Sequence, residues 1–225
     1  FADRIQQLLG ADRQDPPFVG VMANGTSGDI NNVPWRDGDT NKYAPGEKIK
    51  IVANRVATEV AKALPGVKLH DWIPLVAAQQ ELTLGVRKPD AAALARAQDI
   101  LAKSPNQFPR LKGLDEIYAR ETVQMADYRD RVTLILQALR LGDLAITAIP
   151  CEVFVEIGLE LKAKNPFPAS FTISLANGYN AYLPTPAQHA LGGYETWRAK
   201  SSYLETNASP QITAVLFDLL GQLKK

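Results

Sequence analysis

One cysteine, two histidines and almost no net charge are the first things this 225-residue chain is short of, and each shortage removes a class of function. A lone thiol, Cys151, cannot form an internal disulfide or supply a cysteine-rich zinc module, and it leaves the redox compartment open. His70 and His189 stand at no metal-ligand spacing, so the chain does not carry a complete histidine zinc site. The 25 basic and 24 acidic residues nearly cancel, which removes the electrostatic footprint of a nucleic-acid binder. No apolar run approaches the roughly 20 residues of a membrane span, and no charged-then-apolar leader is visible.

Two catalytic signatures are also missing. The Gly-rich run Asn24-Gly25-Thr26-Ser27-Gly28-Asp29 lacks the lysine of a phosphate-binding loop and does not lead straight into a helix. No G-x-S-x-G elbow surrounds a serine, which argues against a Ser27–His189 triad.

What is present is 46% apolar and 22% charged, enough to bury a sizeable core. Residues 2 to 9 read as a helix already under way at Phe1, so the N-terminus reads as cut. The apolar run 18 to 23 suits a buried strand, and a polar loop from 24 to 47 follows, of a length usually reserved for function or disorder. Residues 47 to 64 place Ile49, Val52, Ala53, Val56, Val60 and Ala63 on one helical face, and Pro65-Gly66 stop that helix.

Residues 75 to 87 alternate as a strand in their second half. Pro89-Asp90 opens an alanine-rich helix to Lys103, and a Pro-punctuated loop, 104 to 113, separates it from a helix at 114 to 129. Strands at 132 to 139 and 144 to 149 flank the tight turn at Gly142-Asp143. Then come a helix at 152 to 164, a strand at 171 to 176, a polar aromatic loop, and a last helix capped by Ser209 with an apolar stripe at Ile212, Val215, Leu216, Leu219 and Leu223. The order predicts an α/β or α+β fold with a mixed sheet and packed helices.

Three places release the chain from a strand end, where ligand sites of α/β folds gather: residues 24 to 32, 149 to 152 and 177 to 195. Glu152 follows an apolar strand and opens a helix, either as a rigidly held functional carboxylate or as an ordinary first-turn glutamate favoured by the helix dipole. Tyr179, Tyr182 and Tyr194 share a loop with His189, as possible ligands and hydrogen-bond donors or as plain aromatic packing.

Three segments together resemble the neutral ceramidases. FVGVMANGTSGDINN, 18 to 32, is similar to the family's strand and Gly-Asp-Val-Ser-Pro-Asn loop. LRLGDLAITAIPCEVF, 139 to 154, resembles the strand running into Pro-Gly-Glu-Phe. LANGYNAYLPTPAQHALGGYE, 175 to 195, resembles the Asn-x-Tyr-x-x-Tyr-x-x-Thr loop that ends in Tyr-Glu. The three occur in the family's order.

The resemblance implies that residues 1 to 225 form the C-terminal part of a ceramidase-like catalytic domain, without its immunoglobulin-like domain and with the N-terminal half of the domain as the missing partner. It implies a zinc ion held by Glu152 and Tyr179 here and by two histidines upstream of Phe1. Zinc there would polarise an amide carbonyl and lower the pKa of bound water. The implied substrate is an N-acyl, lipid-like small molecule, contacted by Asn24, Asn177, Tyr182 and Tyr194, and the implied location is exported or periplasmic.

Two positions depart from the pattern. Aligning Gly28-Asp29 with the family's Gly-Asp puts Asn31 where the family has its proposed catalytic serine, and Cys151 replaces the glycine before the glutamate. Asp29 and Asn31 are thus the catalytic candidates, with Asn31 able to hold an oxyanion through its amide but unable to accept an acyl group. The alternative is a noncatalytic binding protein that keeps the fold.

Overall fold

The structure, a computed structural model, describes residues 1–13, 15–32, 43–106 and 110–224. Much of the polar loop expected from 24 to 47, and residues 107–109 of the loop expected from 104 to 113, lie outside the described residues. The chain forms two units, Phe1–Ala23 with Asn31–Ile73, and Asn24–Ile30 with Pro74–Lys225.

In the first unit, α1 (Ala2–Leu8) and α2 (Glu47–Ala63) are helices as the sequence predicts, and they pack on each other. The buried face of α2 is rotated from the expected one. It is centred on Ala57, while Ile49, Val52 and Val56 are exposed. The partner helix is short and buries only Ile5, so small side chains that let two backbones approach win over the larger apolar ones. Residues 18 to 23 are not a strand, and Val19, Val21 and Met22 are exposed. An apolar run becomes a strand only where a neighbour pairs its backbone and a layer covers its side chains, and periodicity reports neither.

The second unit is built on a mixed sheet of β1 (Leu75–Gly85), β2 (Arg131–Leu141), β3 (Leu144–Ile149) and β5 (Ala169–Ser174), in the order β1-β2-β3-β5. The first three are antiparallel, and β5 joins β3 in parallel after the crossover helix α5 (Val155–Lys164). β1 starts earlier than its alternation suggested, because Leu75 to Gln79 pair with β2 through to Leu141. Gly142 takes φ 61° in the two-residue turn between β2 and β3, as the first central position of a type II′ hairpin requires.

In β2, Val132, Leu134, Leu136 and Ala138 point inward and alternate with exposed Arg131, Thr133 and Ile135. Over this inner face lies α7 (Ala208–Leu223), which buries Ile212, Leu216, Leu219, Leu220 and Leu223, each worth roughly 1.5–3 kcal/mol. The outer face is polar in part, with Thr83 bonded to Thr133 and Gln137 to Gln79, but Leu75, Ile135 and Phe171 remain exposed there.

Ser209 does not cap α7. The helix begins at Ala208, whose N–H bonds the Glu205 carbonyl, and Ser209 is buried in the first turn. Pro210 then falls at a position whose missing N–H is one of the four that no helix satisfies. Helices α3 (Ala91–Lys103), capped by Asp90, and α4 (Leu114–Ala126) pack on each other.

Candidate functional site

Beyond β3 the chain runs through Pro150 and buried Cys151 into a two-residue strand, β4 (Glu152–Val153), paired in parallel with β6 (Tyr182–Leu183). Glu152 is therefore not the first residue of a helix. Its N–H bonds the Ala181 carbonyl at 2.8 Å, and the Val153 carbonyl accepts from Gly28 at 2.8 Å. These bonds hold the segment extended, and α5 starts only at Val155.

The helix end expected to face Glu152 is served by Asp29, whose Oδ1 accepts from the Val155 N–H at 2.9 Å. A carboxylate at a helix start satisfies a free donor and complements the dipole. The 24–30 segment is fitted closely around this point. A Cβ on Gly28 would lie 2.5 Å from the Glu152 carbonyl oxygen, and one on Gly158 in α5 would lie 2.2 Å from the Thr26 hydroxyl.

The second half of the site is the loop from 175 to 181. Leu175, Asn177 and Ala181 all take positive φ, at 58°, 66° and 63°, a conformation that costs a non-glycine residue of order 1 kcal/mol or more and persists where the surroundings enforce it. Here the enforcement is visible. Leu175, Ala176 and Asn180 donate their backbone N–H groups to the carbonyls of Cys151, Ile149 and Pro150. The Asn180 side chain also donates to Pro150 O and accepts from the Tyr203 hydroxyl at 2.9 Å.

The outcome is a carboxylate ringed by phenols. Tyr179 donates its hydroxyl to Glu152 Oε1 at 3.0 Å. Tyr182 is in register with Glu152, and its ring meets that of Tyr194 edge-on at 5.9 Å. Burial and the Glu152 charge push the hydroxyls of Tyr179 and Tyr182 above the usual phenol range, so both are neutral donors at pH 7. Burial also pushes the Cys151 thiol up, which makes it a packing residue and a poor nucleophile.

Glu152, Tyr179, Tyr182 and Tyr194, expected to act together, are together. Asn177 lies apart, donating to Gln137 Oε1 at 2.8 Å, and Asn24 meets the sheet through its backbone, its carbonyl accepting from Ser174. Asn31 belongs to the first unit, where its side chain accepts from the Asn32 N–H. His70 is exposed, and His189, in α6 (Pro186–Leu191), is lowered by burial and by the nearby Arg87 charge. Asn180, Tyr203 and Gly28 were not anticipated. Hydrogen bonds mark the first two and a close backbone approach marks Gly28, and both are imposed by the tertiary fold.

A zinc ion fits the chemistry of the two expected ligands. Glu152 and Tyr179 are both oxygen donors of the kind a cation site uses, and their oxygens are brought together by the 3.0 Å hydrogen bond. Among the described residues no three of His, Cys, Asp and Glu cluster as a metal site.

No family model and no curated protein matches the chain. Among solved structures, neutral ceramidase from Pseudomonas aeruginosa superposes on 98% of this chain at a TM-score of 0.61 and 16% identity. A ceramidase complexed with C2 matches 41% of this chain and 15% of its own, at a TM-score of 0.36 and 20% identity. The chain spans 40% of the Pseudomonas protein's length, and over that span its fold resembles that of neutral ceramidase.

Proposed function

We propose that this chain is the C-terminal part of a ceramidase-like catalytic domain and supplies half of a zinc site that hydrolyses the amide bond of an N-acyl, sphingolipid-like substrate. The observation that carries the reading is the 3.0 Å contact between Tyr179 and Glu152, made by the two residues that the resemblance implies as ligands. Similarity of fold to neutral ceramidase supports it. On this reading Glu152 and Tyr179 hold zinc with two histidines from outside the chain, and zinc supplies Lewis acidity toward the amide carbonyl and an acidified water.

The chain's own residues do the rest. Tyr182 keeps its proton at neutral pH and so remains a donor, to Glu152 or to a carbonyl oxygen placed beside it. The rings of Tyr182 and Tyr194 form an apolar wall for the acyl group. The strained 175–181 loop fixes Tyr179, because Asn180 ties it at once to Pro150 and Tyr203. The exposed Leu75, Ile135 and Phe171 on the outer sheet face are consistent with another part of the domain packing there.

Asn31 favours a second reading, a noncatalytic binding protein, because an amide cannot take the place of the family's serine as nucleophile. Zinc analysis of the complete protein separates the two. The enzyme reading expects about one zinc per chain and fatty-acid release from an N-acyl sphingoid base. A complete protein that stays zinc-free after metal is supplied overturns it. Residues 1–225 alone, with two ligands, should bind zinc weakly or not at all in a calorimetric titration.

A further inference from the structure

A groove on the second unit, away from the Glu152 carboxylate, is built from α3, α4 and residues 197–198. It comprises two connected hollows of about 510 and 270 Å³ that share Asp115, Tyr118, Thr122 and Arg198. Its apolar surface is open to solvent. Leu114 is 62% exposed, Trp197 43% and Ile100 38%, and the Tyr118 ring stands edge-on to Trp197 at 4.9 Å.

Its charge is unbalanced. Arg96 and Arg198 both line it, and among the described residues neither is in an ion pair. The Arg198 Nε is buried without a hydrogen-bond partner, and its Nη1 reaches only the Lys88 carbonyl, at 3.4 Å. Arg198 also faces Arg87, which is itself occupied by Thr196 and Ser202 and lowered to about 10 by burial and by the Arg198 charge. Asp115, the one carboxylate that lines the groove, sits in the first turn of α4, where the helix dipole engages it, and of the two acids near Tyr118, Glu121 and Glu195, the first is paired with Arg120 and accepts from the Lys200 N–H. Two guanidinium groups above an apolar, aromatic floor complement a ligand with an anionic head and a long apolar body.

None of Glu152, Tyr179, Tyr182 and Tyr194 lines the groove, but a chain of contacts joins it to that site. Trp197 bonds back to the Tyr194 carbonyl, Tyr194 packs on Tyr182, and Tyr118 feels the charges of Glu195 and Tyr194. We propose that this groove binds a fatty-acid-like carboxylate, its head at Arg96 and Arg198 and its chain along Tyr118, Trp197 and Leu114. An acid of this class is also the product of the hydrolysis proposed above, but the groove's chemistry stands without that reading.

Calorimetric titration with dodecanoate, below its micelle concentration, tests it. Dodecanoate should bind one to one, with dodecan-1-ol about tenfold weaker and dodecyltrimethylammonium not binding, since a charge-assisted contact is worth about a factor of ten or more. Arg96→Gln and Arg198→Gln should weaken dodecanoate and leave dodecanol unchanged, and Trp197→Ala should weaken both. Arg96 has no partner among the described residues, so its variant reports even if Arg198→Gln unfolds. Equal affinity for acid and alcohol, no response to Arg96→Gln, or no binding would overturn the proposal. Glu152→Gln should leave binding unchanged. A changed affinity there, most directly a gain once the like charge is gone, would move the ligand to the Glu152 site and also reject the groove, whereas zinc-free but dodecanoate-binding protein would reject only the hydrolase.

Discussion

Asp29 and Val155, 126 positions apart in sequence, are joined by a 2.9 Å hydrogen bond from the Val155 N–H to the Asp29 carboxylate. This contact places the 24–30 segment against the start of α5, two residues beyond the strand that carries Glu152.

Asp29→Ala should therefore cost about 1 kcal/mol in urea unfolding, the usual worth of a helix cap. Asp29→Asn keeps an acceptor and should lose much less. If Asp29→Asn instead abolishes turnover of the complete protein with its unfolding curve unmoved, Asp29 acts in the chemistry rather than as a cap.

Gly28→Ala should destabilise by about 1–3 kcal/mol, because the new methyl meets backbone that cannot swing aside. Gly158→Ala should cost a similar amount, since its methyl would meet Thr26 at 2.2 Å. Combining it with Thr26→Ala should recover part of that loss, because the hydroxyl and methyl are gone and a Cβ contact at 2.8 Å remains. Thermal unfolding of the wild type, Gly158→Ala, Thr26→Ala and the double variant measures the coupling.

Tyr179→Phe removes the donor to Glu152 while keeping the ring. In the complete protein it should lower both zinc content and amide hydrolysis, the latter by about 10²-fold. Wild-type zinc content and rate in this variant would remove Tyr179 from the site. Ultraviolet titration should also find Tyr118, Tyr179, Tyr182 and Tyr203 ionising above the ordinary phenol range. A raised folded pKa stabilises below the ordinary phenol value of 10 and is lost as pH rises above it, so this contribution should fade in alkali.

Glu116 is the acid-side counterpart. Hydrogen bonds from Ser104, the Lys112 N–H and Asn106 hold its carboxyl at about 2, well below the ordinary 4.5. A depressed folded pKa stabilises above the unfolded value, and that stabilisation is lost as pH falls from about 4.5 toward about 2. Glu116→Gln should flatten stability against pH across that window.

Local chemistry made much of the fold legible. Pro65-Gly66, Asp90 and Gly142 are punctuation that acts within a few residues, and they ended or began elements where the sequence placed them. The α7 stripe was readable because one helix face is buried along its whole length. Residues 18 to 23 and the buried face of α2 were misread for one shared reason. Burial depends on which surface arrives opposite, and an apolar pattern does not encode its partner.

The candidate site divides in the same way. Glu152, Tyr179, Tyr182 and Tyr194 could be named from sequence, because a strand-end carboxylate and an aromatic loop are local patterns. That Glu152 lies in a strand rather than a helix, that Asp29 takes the helix end instead, and that Asn180 and Tyr203 hold Tyr179 in place were decided by contacts spanning up to 126 residues. Residue type alone settled which groups can donate, accept or ligate, since that is a property of the side chain. Which of them meet was left to the tertiary structure, because hydrogen bonds and close packing select one partner among many chemically equal ones only when the backbone brings it within about 3 Å.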